Sequence, residues 1–341
     1  MLQFGCDYLE GCHPRILAKM ARTNLRQTPG YGADEYCRKA KRLIRQACQA
    51  PDADVHFFVG GTQTNFTMIK AMLRVHQGVI APSTGHIAHH RGGAIEATGH
   101  KVFRIPHVDG KLTAESLRGF MQDHYNDCAV EFLMRPGLVY ISLPTELGTN
   151  YSLAELRALR AVCDRFHLPL YIDGARLGYG LVADGCDVTL ADVARIADVF
   201  YIGGTKVGAL FGEAVVVTNP EFKPSLRTVM KQTGAILAKG RLLGIQFMRL
   251  FTDDLYFRIS RHAIRMAMKL QNALREHGYE LVGSANTNQI FVRVTKRQFD
   301  KLSLVMQPPV WSAEPDGGYV IRLVTSWATK EENVDALIRA L

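Results

Sequence analysis

The chain has 341 residues, 47% of them hydrophobic and 21% charged, with a net charge of +9. That balance is ordinary for a globular enzyme, and the length exceeds one usual core, so a large and a smaller unit are expected. The basic residues share helix-spaced segments such as CRKAKRLIRQ with apolar ones, and no zinc module or RNA-binding aromatic pair accompanies them; nucleic acid is excluded as an expected partner.

Seven cysteines form no CxxC pair, which argues for reduced thiols and a cytoplasmic setting. Neither a leader-like start nor an apolar run of membrane length is visible, so no membrane association is expected.

The chain opens with an extended stretch, LQFGCDY, a turn at GCHP, and helical patterns interrupted by the loop QTPGYGADEY. A regular alternation follows. VHFFVG reads as a strand, TQTNFTMIKAMLRVH as a helix, GVIAP as a strand, HIAHHRGGAIEATG as a helix and HKVFRIP as a strand. LTAESLRGFMQDHY and SLAELRALRAVCDRF read as helices around the strand GLVYISLP, before the strands LPLYIDG, DVFYIG and EAVVVTN. Such alternation predicts a mainly parallel α/β sheet covered on both faces.

After about Lys231 the rhythm changes to amphipathic helices, the strands NQIFVRV and YVIRLVTSW, and a last helix from TKEENVDALIRAL. Three stretches are expected: residues 1–45 joining the small unit, 46–235 as the large unit, and 236–341 as a small α+β unit.

Lys206, in FYIGGTKVGALFGEAVVV, follows one strand, and Asp173, in LYIDGARLGYG, ends an earlier one. Open α/β sheets bind ligands just beyond the carboxyl ends of their strands. A lysine there can hold a cofactor aldehyde as an imine, and an aspartate can keep a pyridine nitrogen protonated, which is the pairing pyridoxal phosphate requires. Taken alone, Lys206 would read as a solvated loop lysine.

VGGTQTNF passes from strand to helix, so backbone N–H groups around Gly61 and the hydroxyl of Thr62 or Thr64 suit a phosphate. Neither GxxxxGK[ST] nor GxGxxG is present, which disfavours a nucleotide. His86 stands where a strand enters a helix and suits stacking on a pyridine ring. His89, His90 and His100 lack carboxylate or cysteine partners at ligand spacing, so no metal is expected. Arg176 and Arg322 suit an amino-acid carboxylate, which guanidinium binds bidentately. Lys231 lies where the two units meet and suits a phosphate or a helix end.

GGTQTN, GHIAHHRGGAIEATGHKV, YISLPTELGT, YIDGARLGYG, YIGGTKVGALFGEAVV and IRLVTSWATKEENVDAL occur in this order over nearly the whole chain. Together they resemble the threonine aldolase/β-eliminating lyase family of fold-type-I pyridoxal-phosphate enzymes. The resemblance implies a seven-stranded sheet with helices on both faces plus a smaller α+β domain. It implies that Lys206 is the Schiff-base lysine, that Asp173 pairs with the pyridine nitrogen, that His86 stacks on the ring, and that Gly61 and Thr62 lie at the phosphate. It places Arg176 and Arg322 on the substrate carboxylate, with Lys231 near the phosphate of a neighbouring subunit in a homodimer or homotetramer with shared sites.

The implied reaction is aldol cleavage of a β-hydroxy-α-amino acid, threonine or allo-threonine, to glycine and acetaldehyde, with His86 as base for the β-hydroxyl. The same residues would serve β-elimination, and a cofactor-binding protein without turnover is the third reading. Three departures from the family pattern stand out. Cys6 replaces a serine near substrate, Glu146 and Leu147 stand where many aldolases carry a second histidine, and Arg91 replaces an acid after the stacking histidine.

Overall fold

The computed structural model describes residues 1–89 and 92–341. Its large sheet contains β1 (Asp54–Phe58), β2 (Gln77–Pro82), β3 (Val102–Ile105), β4 (Arg135–Ser142), β5 (Leu170–Asp173), β6 (Val199–Gly203) and β7 (Glu213–Val217), in the order β1-β7-β6-β5-β4-β2-β3. β7 runs antiparallel to β1 and β6, and the remaining pairs are parallel. Every residue of β5, β6 and β7 is buried, as a sheet covered on both faces requires.

Alternation along the strands divides their side chains between two cores. Val139, Ile141, Leu170, Ile172, Phe200 and Ile202 face one. Leu138, Tyr140, Tyr171, Val199 and Tyr201 face the other, where they meet Met68 and Ile69 of the helix Gly61–Met72. Three tyrosines on three adjacent strands thus lie on one face. Polar groups at helix starts fix where the crossovers turn: Thr113 accepts from Ser116 N, and Ser152 forms a reciprocal capping box with Glu155.

The small sheet is antiparallel, with β8 (Glu280–Leu281), β9 (Gln289–Val294), β10 (Val310–Ala313) and β11 (Tyr319–Val324) in the order β10-β11-β9-β8. The helix Leu255–Glu276 supplies Met266, Ala267, Leu270 and Leu274 to its core. Phe4 joins the same core, and Val324 N donates to Phe4 O at 2.8 Å. The helices of the first 45 residues pack elsewhere: Ile16, Tyr36, Cys37, Ala40 and Ile44 belong to the core of the large sheet.

Two stretches differ from the periodicity reading. HIAHHRGGAIEATG is not one continuous helix; the structure has a helix over His86–His89 and a short 3-10 turn over Glu96–Thr98. Gly92 and Gly93 have φ of 53° and 71°, left-handed values that glycine tolerates and a helix does not. Residues 90 and 91, and with them the departure at Arg91, lie outside the described residues. The strand β10 and the helix Lys296–Leu302 carry too few periodic residues to be read from sequence, and both are present. Among the described residues no helix is long and apolar enough to cross a membrane.

Candidate active site

The carboxyl ends of β4, β5 and β6 lie side by side, with Ser142 in register with Asp173. The loops that follow them carry Glu146, Arg176 and Lys206 into one cavity of about 770 Å³, which His86, Arg322, Gly61 and Thr62 also line.

Glycine makes this convergence possible. A Cβ on Gly174 would sit 1.9 Å from Tyr201 O, and one on Gly203 would sit 2.2 Å from Ala175 O. The two strand-end loops therefore touch backbone to backbone, and YIDG and YIGG are two halves of one crossing.

Asp173 is buried beneath this floor and is not itself on the cavity wall. Its Oδ2 accepts from Asn65 Nδ2 at 2.9 Å and Tyr140 OH at 2.6 Å; its Oδ1 accepts from Ala175 N at 3.0 Å and from the hydroxyl of Tyr201. Donors on both oxygens stabilise a carboxylate anion. Tyr201 lines the cavity as well, so it lies on the approach to Asp173.

Lys206 follows β6 in a turn stapled by Glu213, whose Oε2 accepts from Gly204 N at 2.9 Å and whose Oε1 accepts from Thr205 Oγ1 at 3.0 Å. Burial lowers the pKa of the Lys206 amine, and the Arg176 charge lowers it further, against the pull of Asp7, Asp173 and Glu213. Burial also raises the pKa of the Glu213 carboxyl. Both groups move toward their neutral forms, the direction a shared desolvated site imposes. An amine shifted this way is the better nucleophile near neutral pH.

Arg176 is engaged. Its Nε donates to Asp7 Oδ2 at 2.7 Å and its Nη2 to Asp7 Oδ1 at 3.0 Å, a bidentate pair with Asp7 fully buried. Burial alone would raise the Asp7 carboxyl, but the Arg176 and Lys206 charges and the hydrogen bonds from Arg176 and Asn288 together outweigh it and hold the pKa below the usual value. Arg322 differs. It has no carboxylate partner among the described residues; its guanidinium lies 5.2 Å from the Trp311 ring and makes a long 3.4 Å contact to Gly5 O. Burial and the neighbouring Arg176 charge lower its pKa. Of the two arginines expected to meet a carboxylate, Arg322 is the one with its charge unspent.

At the opposite wall the helix Gly61–Met72 begins at Gly60 without a side-chain cap, leaving its first N–H groups toward the cavity for an anion. Thr62 lines the cavity, whereas Thr64 turns away and donates to Gly60 O at 3.0 Å. His86 N donates to Glu146 Oε1 at 2.8 Å. Cys6 stands beside Tyr8 and Arg322 but is not on the cavity wall. Lys231 is also outside the cavity of its own chain, exposed, with its ammonium 5.1 Å from the Tyr31 ring. His100 is tied to Gln77 O at 2.9 Å, and His90 lies outside the described residues.

Glu146 is marked in the sequence only as a departure from the family pattern, and Glu213, Asp7, Asn65 and the tyrosines 140 and 201 escape sequence reasoning as site residues. Glu213 has a faint signal, an acid opening the wholly buried strand EAVVV, where a charge needs a partner. The tyrosines have none, because tyrosine in a buried strand is ordinary core.

Comparison with known proteins finds relatives over most or nearly all of the chain. A family model described as β-eliminating lyase matches residues 7–297. The low specificity L-threonine aldolase of Pseudomonas aeruginosa is 29% identical over 99% of this chain and 96% of its own, and that of Saccharomyces cerevisiae is 26% identical over 77% of this chain and 67% of its own. The solved structure of Leishmania major threonine aldolase superposes with a TM-score of 0.96 at 43% identity, covering 99% of this chain and 98% of that one. An aspartate aminotransferase of Thermus thermophilus, at 15% identity and a TM-score of 0.72, shares the fold over 99% of this chain and 91% of its own.

Proposed function

The chain belongs to the β-eliminating lyase family, and from that premise we propose a pyridoxal-phosphate-dependent carbon–carbon lyase that cleaves β-hydroxy-α-amino acids, L-threonine or L-allo-threonine, to glycine and an aldehyde. One observation carries the reading: a single cavity brings together a buried lysine amine, an imidazole and an unspent guanidinium, Lys206, His86 and Arg322.

The residues fit the cofactor. Lys206 would hold its aldehyde carbon, Asp173 its ring nitrogen, Gly61 and Thr62 its phosphate, and His86 one face of its ring. Bound there, pyridoxal phosphate supplies a conjugated system that takes up the electron pair of the breaking Cα–Cβ bond. Arg322 pairs with the substrate carboxylate and so orients that bond. Arg176, locked to Asp7, lends positive charge to the same region. A base on the cavity wall takes the β-hydroxyl proton, the role the family pattern gives to His86, and Lys206 would return a proton to Cα.

Lys231 and the QTPGYGADEY loop act in the site of a second copy, so the working unit is at least a homodimer. The exposed position of Lys231 outside its own chain's cavity supports this.

Purified protein supplied with pyridoxal phosphate and each threonine diastereomer tests the reaction. Glycine and acetaldehyde in equal amounts are expected. A keto acid with ammonia would reassign it to β-elimination, and no product from any β-hydroxy-α-amino acid would overturn it.

A further inference from the structure

Glu146 occupies the position where the sequence reading expects a second histidine to be missing. Four observations make it more than a substitute in shape. It lines the cavity that Lys206, His86 and Arg322 share. Its Oε1 is fixed by two donors, His86 N at 2.8 Å and Ser142 Oγ at 2.5 Å. Its Oε2 is buried and has no hydrogen-bond partner among the described residues. Finally, Ser142 Oγ lies 3.2 Å from Tyr140 OH, which donates to Asp173, so Glu146 and the aspartate expected at the ring nitrogen sit in one polar cluster, each holding the single proton of its own hydroxyl donor.

A buried carboxylate oxygen without a donor is costly as an anion. One with its other oxygen clamped has a defined place for a proton, and that place is Oε2. We propose that Glu146 is a second acid–base group of this site, accepting at Oε2 the proton that leaves the substrate's β-hydroxyl. The step rests on the aldol-cleavage reading given above.

In it the O–H bond of the β-hydroxyl breaks and an Oε2–H bond forms, while the Cα–Cβ electron pair passes to the conjugated system and the β-carbon leaves as an aldehyde. Glu146 then gives the proton to water, and the Cα proton of glycine comes from Lys206, which is reprotonated from water. No oxidant or reductant is needed.

The surroundings tune this carboxyl for such an exchange. Burial pushes its pKa up to about 7; the Ser142 and His86 donors pull it down and the Asp173 charge pushes it up. Among the described residues, Arg176 and Tyr151 are further titratable groups that feel its charge. A base matched to neutral pH is the efficient one.

The test uses the cofactor-loaded enzyme and two substitutions. Wild-type kcat is expected to rise with pH through about 7 as Glu146 ionises. Glu146→Gln keeps an oxygen for Ser142 and His86 but cannot take a proton. It should lower kcat by about 10²-fold or more and lose that limb of the profile, with KM and cofactor content held. Ser142→Ala removes a donor that favours the charged form, so the limb should move to higher pH.

Independently of turnover, infrared difference spectra of wild type minus Glu146→Gln should show a protonated carboxyl that titrates near neutral pH. Retained kcat with an unchanged profile in Glu146→Gln, or a Glu146 carboxyl already ionised well below neutral pH, overturns the proposal. Failure of the wild type to cleave any β-hydroxy-α-amino acid overturns the reaction and this step with it, and is told apart because the infrared titration is read without substrate. If Glu146→Gln does not fold, the shift in Ser142→Ala decides.

Discussion

At the scale of single residues, the duties proposed for Asp173 and Arg322 are separable, and the geometry predicts how each fails. Asp173 accepts hydrogen bonds on both oxygens beneath the cavity, and Asp173→Asn keeps its shape while removing its charge. Turnover should fall far more than bound cofactor, because the ring nitrogen loses the anion that keeps it protonated while Lys206 is untouched; cofactor absorbance beside kcat measures the split, and near-normal kcat would sink the role. Arg322→Ala should lower kcat/KM roughly 10- to 100-fold, the worth of a hydrogen-bonded charge, with cofactor affinity intact. A variant that loses cofactor and keeps its substrate affinity would disprove the carboxylate contact. Lys206, Asp173, His86 and Arg322 are legible in the sequence because each follows or occupies a recognisable strand. Asp7 and Glu213 are not. Their partners, Arg176 and Lys206, are distant in sequence or hidden by a hairpin, and only folding shows that one arginine is committed to an internal ion pair while the other is open.

Elements were legible where periodicity was long, and the strands from VHFFVG to EAVVVTN all form. The failures have local causes: left-handed Gly92 and Gly93 are incompatible with the long helix expected from His86, and β10 is four residues of mostly exposed side chains with no apolar alternation to reveal it. What no periodicity conveys is the contact between elements. The turns after β5 and β6 approach so closely that Gly174 faces Tyr201 O, and this crossing sets where Arg176 and Lys206 enter the cavity. Gly174→Ala forces backbone apart, so we expect a loss of about 1–3 kcal/mol in stability, the usual cost of overpacking, together with weakened cofactor retention. Thermal unfolding with and without pyridoxal phosphate measures both. An unchanged midpoint would mean that the crossing relaxes freely and does not position the two loops.

For the whole molecule, the telling residue is one that the cavity leaves out. Lys231 ends its helix exposed to solvent, held over the exposed ring of Tyr31 in the QTPGYGADEY loop, and both lie away from the cavity formed by their own chain. A basic side chain and a Gly-punctuated loop presented together suit an anionic group offered by a second copy, and a closed two-fold dimer would use each pair twice. Complementation reads this directly. Lys206→Ala removes the amine from one chain's cavity, and Lys231→Ala removes the cation that, in the proposed shared site, this chain lends to its neighbour. If the sites are shared, a heterodimer of these two inactive variants contains one site with both lysines intact. Co-refolding should then restore up to half of the wild-type activity per dimer, whereas each variant alone stays inactive. Confirmed heterodimers without activity, or a monomer fully active at assay concentration, would place Lys231 outside the chemistry and leave each cavity to work with the residues of its own chain.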